Sequence, residues 1–141
     1  MGLSLTPIEM LGRLIAFDTV SKQSNKKMIN FMEDYLAGYG VKSSIALNKE
    51  ETKADLIATI GPMVKGGIVL SGHTDVVPVD GQDWNTDPFE IKNQNGLLYG
   101  RGTCDMKGFI AVVMALVPEM TKLDLKLPIH LVFSYDEEVG C

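Results

Sequence analysis

Two short apolar runs, at 68–70 and 129–135, each break off into a polar segment that carries acids, and helical patterns lie before and between them. Helices that alternate with short buried strands build layered α/β domains, because every element must hide an apolar face against another. In open sheets of that kind, the segments leaving the carboxyl ends of strands are where ligands bind. With 141 residues the chain has the length of one ordinary domain, enough to bury a core.

The rest of the pattern agrees. Thr6-Pro7-Ile8-Glu9 joins a capping hydroxyl, a proline at the first helical position and an acid at the capping-box position. Ile8, Leu11, Leu14 and Ile15 continue it as an apolar stripe at helical spacing. Asn25 is expected to cap a second helix with Met28, Met32, Tyr35, Leu36 and Tyr39 on its apolar side, and Gly38 and Gly40 mark its end. Residues 41–47 and 54–60 read as strands, the second closed by Gly61-Pro62. Ile68-Val69-Leu70 reads as a strand buried on both faces. Segments 89–92 and 97–99 flank Asn95-Gly96, a strong hairpin signal. Residues 108–123 are apolar and helix-like, with Pro118 expected to kink or end the helix early. No internal repeat, low-complexity tract or linker interrupts the chain.

Charge and composition exclude several functions. The formal charge is −5 and the basic residues are scattered, so no basic face offers itself to nucleic acid. No run of 18 apolar residues exists to span a membrane. Met1 to Glu9 has no basic stretch leading into an apolar one, so no signal peptide is expected. Cys104 and Cys141 lack any disulfide framework spacing and read as reduced thiols of a cytoplasmic protein.

Three segments hold nearly all the reactive polar residues. In Ser71-Gly72-His73-Thr74-Asp75, residues two apart on an extended chain share a face. The Asp75 carboxylate can then accept the imidazole's free N–H and turn its other nitrogen toward a metal. A histidine satisfied by a nearby carboxylate, with no metal, is the plainer reading of that segment alone. In the second segment, glycines 100, 102 and 108 surround Asp105 and allow unusual backbone geometry, although a glycine-rich turn with a helix-capping acid accounts for it equally. Lys107 raises the question of phosphate, but the spacing is not that of a P-loop and no Ser or Thr follows the lysine. The third, Asp136-Glu137-Glu138, sets three acids side by side after an apolar strand. Burial would sharpen their repulsion and a cation would relieve it; taken alone, the segment is better explained as a surface turn. Taken together, one histidine and several carboxylates at strand ends form an oxygen-rich ligand set suited to zinc, manganese or cobalt. A carboxylate can bridge two such ions. Glu137 and Glu138 diverge as neighbours, so one can bind metal while the other handles a proton.

Gly72-His73-Thr74-Asp75-Val76-Val77-Pro78, Tyr99-Gly100-Arg101-Gly102-Thr103-Cys104-Asp105-Met106-Lys107-Gly108 and Ser134-Tyr135-Asp136-Glu137-Glu138-Val139-Gly140-Cys141 resemble the motifs of the M20 metallopeptidases. Trp84 with Pro88-Phe89 resembles the Trp-x-x-x-Pro-Phe that lies between them in that family. The resemblance implies a three-layer α/β catalytic domain with a central mixed, mostly parallel sheet flanked by helices, of which residues 1–141 are the N-terminal part. It implies two divalent ions, zinc with cobalt as the alternative. His73 and Glu138 would each serve one ion, Asp105 would bridge both, and a cis peptide would follow Asp105. Asp75 would orient His73 and Glu137 would be the general base. The reaction implied is hydrolysis of a small N-acyl amino acid, most like N-acetylornithine, with desuccinylase and aminoacylase or dipeptidase chemistry as competitors, in an enzyme that is a homodimer at full length.

Members of that family continue with a further Asp and His as ligands and an inserted dimerisation domain. His130, inside the last strand, does not match the missing ligand. The expectation is that residues 1–141 alone bind metal weakly and do not turn over. Two other classes stay open: a non-catalytic module that keeps the fold, and a thiol hydrolase pairing Cys104 or Cys141 with His73. The second is disfavoured because both cysteines neighbour acids, which raise a thiol's pKa.

Overall fold

The structure, a computed structural model, describes residues 4–140. In chain order its elements are α1 (Pro7–Ile15), α2 (Lys26–Ala37), β1 (Ser43–Leu47), β2 (Ala54–Ile60), β3 (Ile68–His73), β4 (Lys92–Gln94), β5 (Leu97–Tyr99), α3 (Lys107–Met120), β6 (Ile129–Ser134) and a short 3-10 turn, Glu137–Val139. The central sheet is mixed, in the order β1-β2-β6-β3. The β1/β2 and β2/β6 pairs are antiparallel, and β6/β3 is parallel.

Local chemistry sets the first helix. The Glu9 N–H donates to Thr6 Oγ1 at 3.3 Å while the Thr6 N–H donates to the Glu9 carboxylate at 2.8 Å. This reciprocal cap satisfies two helix-end donors. The buried stripe is Met10, Leu11, Leu14 and Ile15, whereas Ile8 is 54% exposed. Met10 takes the place expected for Ile8 because it lies one turn before Leu14, in the row that packs on α3.

Strand alternation places the core. Ala54, Leu56, Ala58 and Ile60 of β2 are buried and Ile57 faces outward, the period-two signature of a half-covered sheet. Leu56 pairs with Phe133 and Ala58 with Leu131, so these four side chains share the face that meets the helical residues Met32, Ile110 and Met114.

Three expectations change. Ile68 and Val69 are 55% and 59% exposed, not buried on both faces. Among the described residues β3 is the edge of the sheet, with β6 its only neighbour, and an apolar run does not reveal edge from centre. The hairpin turn does form: Asn95 and Gly96 both have positive φ, 54° and 80°, as a two-residue primed turn requires. Its first strand comes later than 89–92, because Asp87 accepts the Phe89 and Glu90 N–H groups and bends that stretch into a turn. Helix α3 continues two residues beyond Pro118 and stops at Met120, short of residue 123.

Candidate metal centre

The parallel pairing of β3 with β6 sets His73 opposite Ser134, so the segments after both strands emerge at one end of the sheet. Helix α3 packs against β3 closely: a Cβ on Gly72 would stand 3.1 Å from Met106 and 3.3 Å from Phe109. The residue just before that helix, Asp105, is thereby carried over the strand end. The outcome is a cluster in which ligand atoms of His73, Asp105 and Glu138 all lie within 4.8 Å of one another. His73 Nε2 is 3.0 Å from Asp105 Oδ1 and 3.9 Å from Glu137 Oε2. The imidazole is buried, whereas the Asp105 side chain is 73% exposed, so the cluster opens toward solvent.

The loop bearing Asp105 is shaped by close approaches that only glycine permits. Gly102 has φ +84°, and a Cβ there would stand 2.7 Å from Val76. A Cβ on Gly108 would lie 2.2 Å from the Thr103 carbonyl oxygen. The Asp105–Met106 peptide is cis. Lys107, read from sequence only as a rejected phosphate ligand, is fully buried. Its Nζ donates to the carbonyls of Leu14 at 3.0 Å and Phe17 at 2.7 Å, which leaves the end of α1 tied to the start of α3. Burial pulls this ammonium down to about 7, against the upward pull of Asp18. Lys107→Ala would empty the space of a long side chain and leave two carbonyls without a donor. The expected loss is roughly 2–5 kcal/mol of unfolding free energy, to be measured by urea denaturation.

Asp75 is placed differently from the simple His-x-Asp picture. His73 Nδ1 lies 3.0 Å from the Asp75 backbone carbonyl oxygen and 3.5 Å from its carboxylate. The carboxylate itself accepts the Ser21 hydroxyl at 2.6 Å and the N–H groups of Glu137 and Glu138 at 3.2 Å each. Asp75 therefore sits behind both the imidazole and the acidic turn.

Electrostatics follows from this crowding. Burial of the His73 ring favours its neutral form, but the bonds to Asp75 and Asp105 and the charges of both acids outweigh burial and hold the imidazole above its ordinary pKa. Burial, then the Asp105 charge, push the Glu138 carboxyl up; Asp75 and Glu137 add to this and His73 opposes it. A divalent cation relieves such mutual repulsion. One imidazole nitrogen with carboxylate oxygens at this separation is a donor set that fits zinc, manganese or cobalt.

Other candidates stand apart. His130 lies mid-strand with Nδ1 3.0 Å from Thr59 Oγ1. Cys104 is exposed and free, and Cys141 lies outside the described residues. No cysteine belongs to the group that His73 forms with Asp105 and Glu138 among the described residues. Sequence reading missed Ser21, Asn25 as it is used here, and Lys53. Asn25 does precede α2 but makes no side-chain cap. Its amide instead joins the Ala54 backbone to Thr74 Oγ1, holding β2 to the segment after β3. The one available signal was a polar stretch, Ser21 to Asn25, between two helices.

A helix-covered mixed sheet with an imidazole and several acids gathered where two parallel strands end defines an α/β protein organised around a carboxylate–histidine cluster. The chain belongs to the peptidase family M20/M25/M40, whose sequence profile matches residues 69–141. Among curated relatives, the acetylornithine deacetylase of Pasteurella multocida is 37% identical over 138 residues, covering 93% of this chain and 36% of that protein. That of Proteus mirabilis is 36% identical over 142 residues, covering 96% of this chain and 36% of the relative. The chain thus spans little more than a third of the relatives it matches. Human carnosine dipeptidase 1 superposes with a TM-score of 0.78 at 26% identity, over 95% of this chain and 32% of that one. An M20 family metallo-carboxypeptidase from Sulfolobus solfataricus shares the fold with a TM-score of 0.83 at 23% identity, over 96% of this chain and 32% of its own.

Proposed function

We propose that this chain forms the N-terminal part of the catalytic domain of a metal-dependent amidohydrolase that cleaves N-acetylornithine to ornithine and acetate. The observation that carries the reading is the convergence of His73, Asp105 and Glu138 within 4.8 Å, with Glu137 beside them. The acetylornithine deacetylases among its relatives support the substrate.

His73 and Glu138 would each hold one of two divalent ions, zinc or cobalt, with Asp105 shared between them. When bound, the ions supply Lewis acidity that lowers the pKa of water and stabilises negative charge on the amide oxygen. Glu137 takes the proton from the attacking water as it adds to the carbonyl carbon. It then passes the proton to the amine nitrogen as the C–N bond breaks. Asp75 keeps the imidazole and the acidic turn in register through the bonds already described. Each ion would have two ligands from these residues, one short of the three usual for catalytic zinc. The third is therefore assigned to a later segment of a longer protein, read as a cytoplasmic homodimer.

The test is hydrolysis by the full-length protein with zinc, with cobalt and after chelation. N-acetylornithine, N-succinyl-diaminopimelate and a dipeptide would be compared by kcat/KM. Chelator-sensitive turnover, restored by metal and highest for N-acetylornithine, is expected. Turnover that survives complete metal removal would end the metal reading, and preference for either competitor would reassign the substrate.

A further inference from the structure

The acidic turn is held from behind by a closed ring of bonds that begins and ends on one residue. The Ser21 hydroxyl donates to Asp75 Oδ2 at 2.6 Å. The two oxygens of that carboxylate accept the Glu137 and Glu138 N–H groups, one each. The residue before them, Asp136, is held in the left-handed region at φ 61°, which non-glycine residues seldom adopt. Its carboxylate is bonded to Lys53 Nζ, and Lys53 returns to the Ser21 carbonyl at 2.6 Å. The ammonium also lies 5.9 Å from the centroid of the Tyr135 ring. Ser21 is buried and lies on the strap between α1 and α2, which pairs with Val76 through the Val20 bridge.

We infer that Ser21 and Lys53 are positioning residues, which together fix where the 136–138 turn places Glu137 and Glu138 relative to His73. The inference rests on the proposed hydrolase reading. The Asp75 carboxylate has two competing neighbours, the turn amides at 3.2 Å and His73 Nδ1 at 3.5 Å. The Ser21 hydroxyl sets its rotation. Without that bond the carboxylate is free to swing toward the imidazole and release the turn. Without Lys53, Asp136 loses the partner that holds its backbone conformation. Partners bonded directly to metal ligands typically govern affinity or activity by about 10–100-fold. Ser21 and Lys53 act one link further out, through Asp75 and Asp136, which places them at the low end of that range.

Ser21→Ala, Lys53→Met and Lys53→Arg would be made in the full-length protein loaded with cobalt. Affinity would be read by titration, ligand geometry by the visible cobalt spectrum, and kcat and KM with N-acetylornithine. Ser21→Ala and Lys53→Met are expected to weaken cobalt binding and lower kcat by about 10-fold, to alter the spectrum and to leave KM within threefold of the wild type. Lys53→Arg should recover most of the loss. If Lys53→Met does not fold, Ser21→Ala decides. Wild-type affinity, spectrum and kcat in Ser21→Ala overturn the inference while the hydrolase reading survives. So does a lower melting temperature with an unchanged spectrum, which is what a merely structural serine would give. A wild-type protein that neither binds cobalt nor hydrolyses the substrate overturns both.

Discussion

Replacing Glu137 with glutamine is expected to lower kcat by roughly 10²–10⁴-fold, the range of a lost general base, while the protein keeps its full complement of zinc. The carboxylate lies 3.9 Å from His73 Nε2 and is more than half exposed. It stands at the rim of the cluster, outside the group of ligand atoms formed by His73, Asp105 and Glu138. Glutamine preserves its size and can still donate and accept hydrogen bonds, but it cannot take up a proton at neutral pH. The backbone bond from residue 137 to Asp75 is indifferent to the side chain, so the turn should hold its shape. Loss of one negative charge weakens the attraction for a cation but also removes a neighbour that pushes Glu138 toward its protonated form. The two effects oppose each other, so zinc content should hold. Turnover of N-acetylornithine alongside elemental analysis of zinc separates the roles. If zinc content drops in step with kcat, Glu137 is a ligand and its assignment as the base is wrong.

What could be read in the sequence divides by the distance over which information must travel. Thr6 and Glu9 are three residues apart and their reciprocal cap follows from local chemistry. Asn95-Gly96 specifies its turn in the same way. His73, Asp105 and Glu138 were also visible, because each stands at a strand end, in a glycine-rich turn or just beyond a strand and brings a residue type uncomfortable without a partner. The failures are long-range. Exposure of Ile68 and Val69 depends on what packs over the faces of β3, and nothing in an apolar tripeptide encodes that. Asn25 looked like a cap because capping is the commonest local use of asparagine there, yet its partners lie 29 and 49 residues away. The same holds for Lys107, whose carbonyl acceptors are 90 and 93 residues distant, and for Lys53, which reaches Asp136 across 83 residues. A buried lysine or serine is indistinguishable from a surface one until the fold supplies its acceptors. The residues that gather in the cluster announced themselves by type, and long-range partners such as Lys53 and Lys107 did not.

Asp105→Ala should give the largest effect of any single change, and its signature is a dependence on metal. Asp105 contacts His73 and clusters with Glu138, and it is the one side chain both proposed ions would share, so its loss would remove a ligand from each. Activity is expected to fall by more than the roughly 10²–10⁴-fold of a lost general base, below detection in an ordinary assay. In metal-free protein the same change should cost little. Asp105 is largely exposed, and although its bond to His73 is lost, its repulsion of Glu138 goes with it, which leaves a net change of about 1 kcal/mol or less by the usual worth of one partly exposed hydrogen bond. Zinc present at 100 times its dissociation constant adds about 2.7 kcal/mol to the stability of a protein that binds it only when folded. That increment should appear in the wild type and vanish in Asp105→Ala. Urea denaturation of both proteins, each with and without zinc, tests the prediction directly. A variant that is destabilised equally in both conditions would make Asp105 a structural residue of its loop. A variant that keeps the zinc increment would show that the cation, wherever it binds, is not held between His73 and Glu138 by this aspartate.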